Sequence, residues 1–402
     1  DYCQVATEFE AAGVDILHIS AGTYRAMERR VTPMYLSEAP FLEYAADIKR
    51  RVGIPVIASG SIHSIETADA AIADGFADFV AMSRAIFADP DLPRKVITDR
   101  EEEIIPCIRC NTCVSREQAG ARSLCAINPR TGLESNWTER TTVRRRIVIA
   151  GGGPSGMQAA LTAARHGHDV TLVERQGELG GSLTIAATLP FKLGMRRYLN
   201  YLSKAVEDAG VKIILGKDIN ENADLTANTD DLILALGGQW VLPNYSGIDV
   251  TDPLSAITNI DNIGSMVVVT GADLVGAETA WHLANSGRKV TLIDSREGYG
   301  EDINLVSKLV LPNALDKAGA EVLFACKIRG SESGILFIDG ENGSESIEAE
   351  TLVAADGLQP VPVTQAEISS RNGMRIHRIG EATGLIGIRW ATRTGDDVAR
   401  GL

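Results

Sequence analysis

Apolar residues recur at three- and four-residue intervals, give way to short continuous runs, and then recur again. From residue 1 to about 100 this alternation predicts a helix near 2–12, a strand Asp15–Ser20, a helix 38–52, a strand Pro55–Ala58, a helix 64–74 and a strand Asp78–Met82. Strands joined through helices pair in parallel, because the crossover carries the chain back along the sheet. The spacing suits an eight-stranded barrel or an open sheet. A full barrel takes about 250 residues, and three strands precede a cysteine-rich stretch, so the barrel implied here is incomplete. From 107 to about 142 periodicity fades into Arg, Gly, Cys and Asn, as in a segment ordered by a metal rather than by a core. Beyond it, two strand, glycine-rich turn, helix and strand units start at 146 and 266, about 120 residues apart, which is the pattern of a duplicated dinucleotide fold.

At 402 residues the chain exceeds one ordinary core and should divide into several domains. Composition narrows the function. A hydrophobic fraction of 45% with 23% charged residues is that of a globular protein, and no apolar run reaches the roughly 18–20 residues of a membrane span. The net charge of −14, with Lys and Arg dispersed, speaks against nucleic acid as a partner. The opening DYCQVATEFEAAG reads as the middle of a helix rather than a signal peptide. Four of the six cysteines lie within nineteen residues, which favours metal ligation over disulfides and a reducing, cytoplasmic setting.

Those four are Cys107, Cys110, Cys113 and Cys125, in CIRCNTC…CAINP. Three thiolates at CxxCxxC spacing with a more distant fourth suit the corners of a [4Fe–4S] cube, whereas structural zinc, the alternative, more often uses two separated CxxC pairs. Cys3 and Cys326 read as ordinary buried thiols.

In the first dinucleotide unit the strand Arg146–Ala150 enters Gly151-Gly152-Gly153-Pro154-Ser155-Gly156, a helix runs to about Gly167, and a second strand ends at Glu174. Gly151 allows the tight turn, Gly153 lets a pyrophosphate approach the backbone, Gly156 permits close helix packing, and Glu174 can accept from a ribose hydroxyl. Gly180-Gly181, Gly237 and Gly380-Glu381 extend the pattern. In the second unit Met266–Thr270 leads into Gly271-Ala272-Asp273-Leu274-Val275-Gly276 and a strand ending at Asp294. Asp294 favours the free 2′-hydroxyl of NADH, while Arg296 close by keeps NADPH open. Asp273 replaces the glycine that should meet the pyrophosphate, so the unit either binds nicotinamide nucleotide through an altered turn or is a structural relic.

In the barrel segment Ser59-Gly60-Ser61 and Met82-Ser83-Arg84 end two strands. Gly60 permits close approach, Ser61 and Ser83 offer hydroxyls, and Arg84 can neutralise a phosphate. Tyr24 follows the first strand and is a candidate for a catalytic, substrate-lining position, and His18 reads as an interior histidine.

The succession GVDILHIS, IPVIASGSI, FVAMSRAIFADPDLPRKV, CIRCNTC…CAINP, VIAGGGPSGMQAA and VTGADLVGAETA resembles the long-form NADH:flavin oxidoreductase, or old yellow enzyme, family over essentially the whole chain. The resemblance implies an α/β protein: the C-terminal part of a TIM barrel carrying FMN (1–104), an iron–sulfur segment (105–142), an FAD-binding domain (143–258 with 365–402) and an NAD(P)H-binding domain (259–364). It places FMN phosphate at Gly60 and Ser83-Arg84, the [4Fe–4S] cluster on the four clustered cysteines, and FAD, or ADP, at Gly151, Gly153, Gly156 and Glu174. Ser83 stands for the family's usual glycine, and Glu381 for its usual aspartate. The implied activity is reduction of an activated alkene at the expense of NAD(P)H, with an amine dehydrogenase or a non-catalytic electron-transfer subunit as alternatives. The family's first five barrel strands have no counterpart here and are expected from the same gene product or a partner chain, in a homo-oligomer acting on a small molecule.

Overall fold

A computed structural model describes residues 1–136, 143–226, 228–340, 343–362 and 374–402, which form two compact units, Asp1–Trp137 with Pro190–Tyr201, and Thr138–Leu189 with Leu202–Leu402. The expected boundaries at 142 and 364 fall outside the described residues.

In the first unit β1 (Leu17–Ile19), β2 (Val56–Ala58) and β3 (Phe79–Val80) pair in parallel in sequence order, with Leu17 opposite Val56 and Ile57 opposite Phe79. Helix Tyr2–Ala11 precedes β1 and helices Leu42–Lys49 and Ile65–Ala73 intervene between the strands, as the periodicity predicts, and Val56, Ala58, Ala45 and Ile48 belong to the core they share. The second helix starts later than expected, because Pro40 disfavours helical geometry at Ala39, which takes a left-handed φ of 49°. The third strand is shorter, and the Asp78 carboxylate ends the ladder by accepting from the Val56 amide at 2.7 Å and pairing with Lys49 at 2.8 Å. His18 lies on β1, an outer strand of the three described, and its side chain is exposed in this chain.

The strands of the second unit are, in order, β4 (Arg146–Ala150), β5 (Asp169–Val173), β6 (Lys212–Ile214), β7 (Asp231–Leu234), β8 (Gly238–Trp240), β9 (Asp249–Thr251), β10 (Met266–Thr270), β11 (Lys289–Ile293), β12 (Glu321–Leu323), β13 (Lys327–Glu332), β14 (Ile335–Gly340), β15 (Gly343–Glu348), β16 (Thr351–Ala354), β17 (Leu358–Pro360) and β18 (Arg375–Arg378). Two five-stranded parallel sheets result, ordered β18-β7-β4-β5-β6 and β12-β11-β10-β16-β9. An antiparallel sheet of β13, β14 and β15 and a β8–β17 pair complete the unit. Each parallel sheet reverses direction about its central strand, β4 or β10, and ligands in such sheets lie beyond the carboxyl end of that strand. The two cores are in register: Arg146 pairs with Asp169 and Met266 with Lys289, an offset of 266 − 146 = 120 in both strands. Both central strands are apolar on each face, as parallel strands covered on both sides require. Among the described residues no helix is long and apolar enough to cross a membrane.

Candidate functional site

At the end of β4 the chain turns through Gly151, whose φ is 106° and where a side chain would meet the Ala235 carbonyl oxygen at 2.3 Å. A Cβ at Gly156 would lie 1.9 Å from the Gly151 carbonyl oxygen, so the helix Pro154–Arg165 can reach the turn only without one. Gly153 differs. Its backbone is extended and nothing lies within 4 Å of a Cβ placed there, so the fold leaves this position open. Glu174 is buried, with Oε2 accepting from the Gly152 amide at 2.5 Å and Oε1 from the Gln176 amide at 2.7 Å. The adjacent Ser155 hydroxyl is buried without a hydrogen-bond partner, beside Gly380. Gly180 donates to the Gly152 carbonyl at 2.9 Å and so brings Gly181 over Gly153. Glu381 accepts from the amides of Gly238 and Gly387, and burial pushes its carboxyl above the usual range. The start of a helix, an open glycine, a buried acid and an orphaned hydroxyl together fit a dinucleotide diphosphate.

The second turn repeats this geometry 120 residues later. Gly271 accepts the same strain at φ 87°, a Cβ at Gly276 would lie 1.8 Å from the Gly271 oxygen, the Ala272 amide donates to Asp294 Oδ2 at 2.6 Å, and Gly300 donates to the Ala272 carbonyl at 3.0 Å. Asp273 occupies the place of Gly153. Its Oδ1 accepts from Arg296 Nη1 at 2.7 Å and lies so close to Gly300 that a side chain there would have to displace it. Arg296 also grips Asp294 through Nε at 2.9 Å and Nη2 at 2.6 Å. Burial works to raise the Asp294 carboxyl, but the hydrogen bonds from Arg296 and the Ala272 amide outweigh it and hold it below its ordinary value. The same bonds, which Arg296 donates to Asp294 first and then to Asp273, raise Arg296. Burial, aided by Asp273, raises Asp302, which accepts from the Leu274 amide at 3.0 Å. Beside this network opens a cavity of about 640 Å3 lined by Asp273, Asp294, Arg296, Tyr245, Cys326 and Lys327, among others. Cys326 is thus a lining residue, and its sequence surroundings gave no sign of that.

In the first unit Gly60 has φ 104° and packs on the Phe41 ring, and Ser61 takes a left-handed φ of 57°. Arg84 is drawn away from solvent: Nη1 donates to Thr32 O at 3.0 Å and to Asn111 Oδ1, and Nη2 to Ser61 Oγ at 2.5 Å. His63 Nε2 lies 3.3 Å from Ser61 Oγ, while its Nδ1 is buried without a partner. Burial and the charges of Arg84, Arg109 and Arg197 push its pKa down to about 2. A neutral, half-satisfied imidazole facing three guanidinium groups is an arrangement that accepts an anion. Ser83 opens the helix Ser83–Ala88. Tyr24 is 80% exposed, with the Arg30 guanidinium 4.2 Å from its ring centre.

The cysteine loop folds through left-handed Arg109 and Asn111, at φ 54° and 58°. Amides point at the sulfurs: Arg109 donates to Cys107, Val114 to Cys113, and Ile127 and Asn128 to Cys125. Burial nevertheless pushes Cys107 up to about 12 and raises Cys113 and Cys125, and the charge of each thiol acts on its neighbours. Arg84 supplies the nearby positive charge. Thiols this dry stay protonated alone, but amide donors suit them as metal-bound thiolates. Among the described residues no three His, Cys, Asp or Glu side chains converge closely enough to hold a single ion. The donor set of four Cys remains the chemistry on which a cluster reading rests.

Residues 145–381 match the pyridine nucleotide-disulphide oxidoreductase family, with a second match over 124–224, and residues 3–103 match the NADH:flavin oxidoreductase / NADH oxidase family. The chain is 34% identical to an NADH oxidase of Thermoanaerobacter brockii, over 98% of this chain and 63% of that protein. It is 28% identical to a cinnamate reductase of Clostridium sporogenes, over 98% of this chain and 60% of that one. A solved 2-naphthoyl-CoA reductase in complex with 2-naphthoyl-CoA superposes with TM-score 0.92 at 25% identity, covering 100% of this chain and 62% of the other. The chain therefore spans about three fifths of the length of these relatives. It belongs to the pyridine nucleotide-disulphide oxidoreductase family, whose match spans more than half of the chain, while residues 3–103 resemble the NADH:flavin oxidoreductase / NADH oxidase family, and its architecture is that of a partial barrel followed by Rossmann-like α/β folds.

Proposed function

We propose that this member of the family passes electrons from NAD(P)H, through FAD and a [4Fe–4S] centre, to FMN for reduction of an activated C=C bond of the enoyl-CoA or enoate type. The observation that carries the reading is the pairing in one chain of two dinucleotide turns built to one plan with four clustered thiols, three of which receive backbone amides. Cys107, Cys110, Cys113 and Cys125 would hold the cluster, whose chemistry when bound is to divide a two-electron transfer into single steps. Gly151, Gly153 and Gly156 would admit the FAD diphosphate, with Glu174 and Gly181 about its ADP half and Gly237, Gly380 and Glu381 about the other. Gly271, Gly276 and Asp294 would take the nicotinamide nucleotide. Gly60, Ser61, Ser83 and Arg84, with His63, would meet the FMN phosphate, and exposed Tyr24 would face substrate. Domains at 1–104, 105–142, 143–258 with 365–402, and 259–364 follow from these roles. The cinnamate and naphthoyl-CoA reductases among the relatives support a conjugated double bond as the group reduced. The remaining barrel strands would come from the same gene product or a partner chain, in a cytoplasmic homo-oligomer.

One feature favours a second reading. The Asp273 carboxylate stands where a diphosphate would approach, as in an amine dehydrogenase whose second fold is a relic and whose first holds ADP. Anaerobic titration with NADH, with iron and flavin assays, separates the two. Bleaching of flavin with about four irons per chain supports the reductase, and iron with no response to NADH abandons it for the dehydrogenase.

A further inference from the structure

We infer that Asp273 sets the nucleotide preference of the second dinucleotide site, by locking Arg296 against Asp294 and so withholding that guanidinium from a 2′-phosphate. The inference rests on the nicotinamide reading of this site. In a Rossmann unit the acid ending the second strand meets the ribose 2′-hydroxyl, and an arginine nearby accommodates a 2′-phosphate instead. Arg296, two residues past Asp294, is that arginine by position. Its nitrogens are already committed: Nε and Nη2 to the two oxygens of Asp294 at 2.9 and 2.6 Å, and Nη1 to Asp273 Oδ1 at 2.7 Å. Bidentate pairing on one side and a second carboxylate on the other hold the guanidinium in place from both faces of its fork.

The first site shows what the lock adds. At the same offset of 296 − 176 = 120, Gln176 replaces Arg296, and only its backbone amide meets Glu174, at 2.7 Å. There Gly153 leaves the turn open, whereas Asp273 fills it and packs on Gly300. Two coupled departures from one shared plan, an acid in the turn and a cation beside the ribose acid, touch each other and border the same 640 Å3 cavity. The cavity also holds Lys327 and Asp356, so with Asp273 present three carboxylates outnumber the two cations around a 2′-phosphate, and removing Asp273 brings acid and base into balance.

The test measures equilibrium binding of NADH and NADPH to the full, flavin-loaded chain, using wild type, Asp273→Gly, Asp273→Asn and the double variant Asp273→Gly with Arg296→Gln. Wild type is expected to prefer NADH. Releasing one arm of Arg296 in Asp273→Gly should shift the NADPH-to-NADH affinity ratio toward NADPH by on the order of tenfold, the effect of one freed charge-assisted hydrogen bond. Asp273→Asn keeps the packing on Gly300 and should shift the ratio in the same direction, and the double variant should cancel the gain. An unchanged ratio in both single variants, with NADH still bound, overturns the inference alone. Failure of wild type and both single variants to bind either nucleotide overturns the nicotinamide reading and the inference with it.

Discussion

The first turn contains two glycines that the sequence pattern treats alike and the structure separates. At Gly156 a methyl group would stand 1.9 Å from the Gly151 carbonyl oxygen and 3.2 Å from Ala235 Cβ, so Gly156→Ala must drive the helix from the turn by roughly 1 Å or more. Overpacking of this kind costs about 3 kcal/mol, a loss of roughly 6–12 °C in Tm for a unit of this size. At Gly153 nothing lies within 4 Å, and the backbone is in a region any residue adopts. Gly153→Ala should therefore leave the flavin-free chain within about 0.5 kcal/mol of wild type, since reduced freedom in the unfolded chain offsets a poorer helix cap. Its methyl would instead meet the diphosphate, weakening flavin by about tenfold or more. Thermal unfolding of flavin-stripped protein and flavin titration read the two effects separately. If Gly153→Ala destabilises the stripped chain as much as Gly156→Ala does, or binds flavin as wild type does, the division between a fold-bearing and a ligand-facing glycine is wrong.

Cys110→Ser should abolish the iron content while flavin stays bound at the first turn; loss of both from a folded protein would contradict independent sites. Arg84→Gln should move the cluster midpoint to more negative values by some tens of millivolts in a spectroscopic redox titration, because a nearby cation favours the more electron-rich state. His63 gives a pH dependence. The folded imidazole stays neutral down to about pH 2, while the unfolded one takes a proton near 6.5, so the unfolded state binds more protons below 6.5 and stability falls as pH falls. The loss reaches about 2 kcal/mol by pH 5, and His63→Gln should flatten that part of a denaturant-midpoint profile; an unchanged slope would remove His63 as its source.

The sequence determined a good deal by itself. Runs of β-branched residues entering a glycine turn and closing on an acid identified both dinucleotide units, because strand, turn and helix there are local and each position has one mechanical task. The 120-residue offset, legible in the motifs, holds in the strand register and in the amides that meet Glu174 and Asp294. The cysteine spacing was equally legible, since all four positions lie within nineteen residues. Other features depend on distant segments. His63 is separated from Arg84, Arg109 and Arg197 in sequence, so its half-satisfied ring among three cations could not be read from its neighbours. Asp273 was visible as a missing glycine, but whether it merely spoils the turn or holds something is decided by a side chain 23 residues away, Arg296. Patterns report what each segment can do alone; which charges meet across segments is fixed only when the sheets bring them together.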